Sequence, residues 1–181
     1  MPDLTIRLKR HADGSASLTL TRADGAVTWQ RQKGSLGMVF PPHDLTHYAV
    51  ESALGYDHGF YGLVADGWDI TDFAHPWPRG TIPQEAREVE LIVGFFDSER
   101  RSVDHWHAKE FNAHAVRFVE AGKYAGVIAP PRLTDEDIAR VRAVRDEVLA
   151  QWFAIEPGNA LELVFDRARD ITRGHEHTAD V

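Results

Sequence analysis

The N-terminal stretch Leu4-Thr5-Ile6-Arg7-Leu8, then Asp13-Gly14, then Leu18-Thr19-Leu20, then Asp24-Gly25, then Val27-Thr28-Trp29, decides the fold class. Its apolar residues alternate with polar ones on a period of two, the period of a half-buried strand. Leu4, Ile6 and Leu8 share one strand face, Leu18 and Leu20 another, and Val27 and Trp29 continue the alternation. Each junction carries Asp-Gly, the strongest short-range hairpin signal. The reading is a three-stranded antiparallel meander, followed by a short extended segment at Met38-Val39-Phe40 that ends at Pro41-Pro42.

Beyond the meander the period changes to that of helices. A helix is expected from His43 or Asp44 through Leu54, with the prolines at its entry, Asp44 in its first turn and Gly55 as its stop. Residues 55–80 are rich in glycine, aspartate and aromatics (Tyr56, Phe60, Tyr61, Trp68, Phe73, Trp77), with a short helix around Phe60–Ala65. So long a connection is uncommon unless it is packed or functional. Pro83-Gln84-Glu85 opens a helix into Val89–Phe96. A second helix is read at about Val103–Ala121, ending at Gly122. A third starts at Thr134, capped with Asp137 three residues on, and carries the stripe Ile138, Val141, Val144, Val148, Trp152. Pro157-Gly158-Asn159 turns into a last strand, Leu161–Phe165. The expectation is one α+β domain over residues 1–166: an N-terminal antiparallel meander packed against three to four helices, a C-terminal strand, and a polar tail over 167–181.

Composition bounds the function. The chain has 181 residues, 43% hydrophobic and 27% charged, a formal net charge of −8 and no cysteine. One domain of this size buries enough surface to need no covalent staples. The acidic balance argues against nucleic acid, whose binders present a basic stripe. The arginines at Arg132, Arg140, Arg142 and Arg145 alternate with Asp135, Glu136, Asp137 and Asp146, as on a solvated helix face. No apolar run approaches the length that spans a bilayer, and the N-terminus shows no signal peptide. The location read from this is cytoplasmic. A small-molecule substrate or ligand is the expected partner, and a homo-oligomer is compatible with everything above.

From Gly34 to Pro78 the chain has no lysine or arginine, yet holds His43, His47, His58, His75 and several carboxylates. A divalent-metal site needs such a set, because a neighbouring ammonium would oppose the ion. On the helix, His43 and His47 lie about 40° apart and one turn from each other. Zincins grip zinc with a histidine pair at this spacing. Here Asp44 stands in place of their glutamate, so the protease mechanism does not carry over. Asp44, His47 and Glu51 also share a strip, although His43 and Glu51 are about 12 Å apart along the axis. On the second helix, His107, Glu110 and His114 repeat the i, i+3, i+7 spacing and could add a ligand. That spacing resembles the carboxylate–histidine pairs of dimetal bundles. The final His175-Glu176-His177 is read as part of the tail.

Residues 41 to 68 resemble an uncharacterised bacterial family with the pattern Pro-His-Asp-x-x-His-x-x-Val-Glu, then Gly-Phe-x-Gly-x-x-Ala-x-Gly. These read here as Pro42-His43-Asp44-Leu45-Thr46-His47-Tyr48-Ala49-Val50-Glu51 and Gly59-Phe60-Tyr61-Gly62-Leu63-Val64-Ala65-Asp66-Gly67. The resemblance implies no activity.

The sequence therefore points to a divalent-metal protein, with zinc favoured by the imidazoles, and to a metal-dependent hydrolase acting on a small molecule. His43, His47 and His114 are the candidate ligands, and Asp44 and Glu51 the candidate catalytic carboxylates. Tyr48, His58, Tyr61, His107 and Glu110 are candidates for a ligand pocket between the sheet and the 43–54 helix. The competing reading is a non-catalytic ligand-binding or protein-interaction domain in which the same cluster is a hydrogen-bond network.

Overall fold

The computed structural model describes residues 2–102, 105–122, 126 and 128–167. Strands β1 (Leu4–Arg10), β2 (Ala16–Arg22) and β3 (Val27–Gln32) form the expected meander, and β4 (Ala160–Phe165) joins the free side of β1. The sheet is antiparallel throughout, in the order β3-β2-β1-β4. Both hairpins are built alike. His11 and Arg22 each open a turn whose glycine, Gly14 or Gly25, has a positive φ. The aspartate before it accepts the N–H two residues on, Asp13 from Ser15 and Asp24 from Ala26. A left-handed glycine closing a three-residue loop matches the twist of the flanking strands.

Five helices follow: α1 (Leu36–Leu54), α2 (Phe60–Ala65), α3 (Gln84–Arg100), α4 (Ala108–Ala121) and α5 (Asp135–Ala154). The inner sheet face, Leu4, Ile6, Leu8, Leu18 and Leu20, packs on Leu45 of α1 and on Val148, Leu149 and Trp152 of α5. The far side of α1 and the first half of α5 pack instead on α3 and α4, through Val50, Phe96, Phe111, Ile138 and Val141. Helices α1 and α5 are thus a middle layer between sheet and outer helices. The central turns of α1 are covered from both sides, so its polar residues Asp44, Thr46, His47 and Glu51 are all buried.

Three expectations are corrected here. Met38-Val39-Phe40 is helical, and α1 starts at Leu36, with Pro41 and Pro42 inside it and Asp44 beyond its first turn. A proline in a helix interior removes a hydrogen bond and crowds the preceding turn. The early turn persists because it docks on the first hairpin: a Cβ on Gly37 would meet the Gly14 carbonyl at 2.7 Å and that of Gln32 at 3.0 Å. In β3 it is Thr28 that faces inward, while Val27 and Trp29 are exposed. Thr28 Oγ1 accepts the Ile70 N–H at 3.1 Å, so this inward position anchors the long 66–83 connection. Finally, Arg142 and Arg145 do not lie on a solvated face. Arg142 makes two hydrogen bonds to Glu99, at 3.0 and 2.7 Å, and the buried Arg145 lies over the Phe96 ring.

The expected second helix begins later, at Ala108, with His107 as its capping residue. Val103, where the sequence placed its start, lies outside the described residues, as does the tail from residue 168 with His175-Glu176-His177.

Candidate metal centre and its cavity

Helices α1 and α3 lie side by side, and their facing turns bring four acidic side chains to two histidines. His43 Nδ1 lies 2.8 Å from Asp97 Oδ2. An ionised carboxylate can only accept, so the proton of that bond sits on Nδ1, and Nε2 of His43 is left for another partner. His47 Nε2 lies 3.1 Å from Glu90 Oε2, and its Nδ1 faces Glu51 Oε1 at 3.4 Å. That second approach is too poorly aligned for a hydrogen bond, so His47 Nδ1 and Glu51 Oε1 are buried without a well-formed partner. The two rings meet edge to face, with centroids 4.8 Å apart.

His43, His47 and Glu90 each offer a ligand atom, all within 4.8 Å of one another, and could hold a metal ion. Among the described residues they are the one group of three that meets this condition. Bonds of 2.0–2.1 Å at tetrahedral angles put ligand atoms about 3.4 Å apart, so the set needs only a modest contraction. Glu90 can supply it, because its side chain is half exposed. The histidines are backed as metal-bound histidines are, each with Nδ1 turned to a buried carboxylate. Burial works to lower the pKa of His47, but the carboxylates of Glu51 and Glu90 overcome it and lift the value to about 10.

Glu51 lies beneath His47. Its other oxygen accepts the N–H groups of Tyr61 at 2.9 Å and Gly62 at 3.2 Å, so it caps α2. Burial pushes its pKa up, against His47 and those two N–H donors. Burial likewise lifts Asp44 to about 7, with His43 and His47 opposing. Asp97 goes the other way: burial would raise it, and its bond to His43 together with the Arg100 charge holds it below the usual carboxylate range.

A cavity of about 970 Å³ opens beside the cluster. His43, Asp44, His47 and Glu90 form its polar side. Phe40, Phe60, Ile70, Phe73, Trp77 and Ile82 form its apolar side, and Gln30 and Arg87 complete the rim. The connection after α2 is thus a cavity wall. It is held by Arg22, which bonds the carbonyls of Val64 and Trp68 and the carboxylate of Asp69, and by Arg79, which reaches Asp72 and the Gly67 carbonyl. Its aromatics stack in series, His47 on Phe60, Phe60 on Phe73, and Phe73 on Trp68.

The structure gathers some of the sequence candidates and disperses others. His43, His47 and Asp44 share the cavity. Glu51 supports it from below. His114 is not in the cluster; its ring packs between Phe95 and Trp106. Tyr48 donates to the Val164 carbonyl, and Tyr61 is wholly buried and donates to the Asp44 carbonyl. His58 is exposed beside Glu85 and Asp66. His107 precedes α4 and its N–H donates to Glu110, so His107 does not share a helix face with His114. None of these five candidate pocket residues lines the cavity. The cavity also lies against α1, α3 and the 66–83 connection, with Gln30 its one sheet residue, rather than between sheet and helix.

Glu90, Asp97 and Arg87 were not singled out from sequence. A signal existed: Glu90 and Asp97 are seven residues apart on one helix, hence on one face, amid the apolar Val89, Val93 and Phe96. They lie outside the cation-free segment, on a helix that mixes both charge signs.

Compared with known proteins, the chain matches no family model, no curated protein and no solved structure. Fold and site therefore define it: an α+β domain with a candidate three-residue metal centre at the side of a cavity. No helix among the described residues is long and apolar enough to cross a membrane.

Proposed function

We propose that this chain is a zinc-dependent hydrolase acting on a small molecule in the cavity, with His43, His47 and Glu90 as the metal ligands. The observation that carries the reading is that His43, His47 and Glu90 offer ligand atoms within 4.8 Å of one another, with His43 Nδ1 bonded to Asp97 and His47 Nδ1 facing Glu51. Two imidazoles and one carboxylate form a set suited to catalytic zinc, with one coordination position open. A zinc ion in such a set supplies an activated water and polarises a substrate carbonyl.

The chain's own residues do the rest. Asp97 and Glu51 hold the two imidazoles in orientation. Asp44, on the cavity wall beside the two histidines, would accept a proton from the attacking water and return it to the leaving group. The aromatic wall excludes bulk water from the apolar side. Glu51 is a positioning residue in this reading, since it does not reach the cavity.

The test is elemental analysis of untagged protein purified without chelator or metal-affinity resin. About one equivalent of zinc is expected, lost in His47→Ala and also in Glu90→Gln. Glu90 is exposed enough that its substitution leaves the fold intact, so the second variant separates metal loss from unfolding. Wild-type protein without metal, and without a thermal shift on adding zinc, would overturn the reading. The cluster would then be a buried hydrogen-bond network within a binding domain.

A further inference from the structure

Arg87 lines the cavity from α3, one turn before Glu90. Its guanidinium makes no hydrogen bond or ion pair with any described residue. The arginines that hold the cavity wall are committed: Arg22 to Asp69 and Arg79 to Asp72. In a chain of net charge −8, a guanidinium that lines a cavity beside an aromatic wall is suited to an anion from outside.

We propose that the cavity takes an amphipathic monocarboxylate, its acid group held by Arg87 and its apolar body against Phe60, Phe73 and Trp77. This deepens the hydrolase reading and rests on it for the role of the neighbouring metal cluster. The planar fork of a guanidinium matches the two oxygens of a carboxylate. A dianion such as a phosphate monoester fits less well, because Asp44 and Glu90 line the same cavity. A volume of about 970 Å³ accommodates a body as large as a bicyclic aromatic with room for a second substituent. Arg87, Glu90 and His47 line the same cavity, so a carboxylate held by Arg87 shares that space with the metal cluster.

The test uses phenylacetate, 1-naphthylacetate and 4-methylpentanoate against their neutral amides, by calorimetry on the wild type and on Arg87→Gln. Metal content is measured on the same samples. At least one acid is expected to bind about 10- to 100-fold more tightly than its amide, the effect of one charge-assisted bond. That preference is expected to vanish in Arg87→Gln, whose metal content and melting temperature stay those of the wild type. Acids and amides binding alike, a preference that survives in Arg87→Gln, or no binding by any acid in the millimolar range would each overturn the proposal. Acid preference that depends on Arg87 in protein without metal would uphold the monocarboxylate site and remove the hydrolase reading. Metal without acid preference would do the reverse.

Discussion

His43 and Asp97 are 54 positions apart in the chain, yet Nδ1 of one lies 2.8 Å from Oδ2 of the other. This bond fixes α1 against α3 at the base of the cavity, and it sets which histidine nitrogen faces the cluster. Thr46, one turn of α1 away, also donates to Asp97, at 3.3 Å.

Asp97→Asn is accordingly expected to weaken zinc without abolishing the fold. The amide can keep the shape of the contact but not the charge that favours a protonated Nδ1. Loss of such a supporting carboxylate lowers metal affinity by about 10- to 100-fold. Competition against a chromophoric chelator measures it. An unchanged affinity would show that Asp97 serves packing alone.

Two glycine substitutions should act in opposite directions. A Cβ on Gly94, in the interior of α3, meets nothing within 4 Å, so Gly94→Ala should stabilise by about 0.5–1 kcal/mol. A Cβ on Gly62 would stand 1.9 Å from the Asp57 carbonyl oxygen, which is backbone and cannot swing away. Gly62→Ala should cost about 1–3 kcal/mol. It should also disturb the N–H that Glu51 holds. Urea unfolding midpoints of the two variants test both signs.

The Glu99 cluster should make stability fall in acid. Burial works to raise the pKa of Glu99, but Arg142, His105 and Arg145 outweigh it and hold the group below its ordinary 4.5. A depressed carboxylate binds fewer protons folded than unfolded, so its contribution is complete above the unfolded value and is lost as pH falls through the folded one. Denaturation between about pH 6 and about pH 3 should therefore show a slope that is smaller in Glu99→Gln. Equal slopes in the two proteins would count against the cluster as an acid-sensitive element.

At the start of α5, Thr134 Oγ1 accepts the Asp137 N–H at 3.1 Å, and Asp137 returns a bond to the Thr134 N–H at 2.9 Å. Thr134→Ala should cost about 1 kcal/mol, and Thr134→Ser should recover most of it. Thermal melts of the pair decide, since a loss not recovered by serine would point to the methyl group instead of the cap.

Much of the architecture was legible because its causes are local. Alternating Leu4, Ile6 and Leu8, the Asp-Gly turns, the Thr134 cap and the stop at Gly55 act within a few residues, and each element they predict is present. The His43–His47 pair was legible for the same reason, as the helical period alone puts them on one side. Where local rules failed, a distant contact outweighed them. Pro41 and Pro42 signalled a helix entry, but with Gly37 seated against the first hairpin the helix starts at Leu36, five residues before Pro41. His107 and His114 matched a ligand spacing, but the capping contact to Glu110 left His107 outside the helix that would have aligned them.

The sequence by itself determined the strands, the helices after the prolines, and a histidine pair free of neighbouring cations. Only the tertiary structure decided which carboxylates meet that pair. Glu90 and Arg87 reach the cavity, and Asp97 reaches His43, because α3 packs on α1, and helix packing is set by the shapes of apolar surfaces rather than by the spacing of polar residues along the chain.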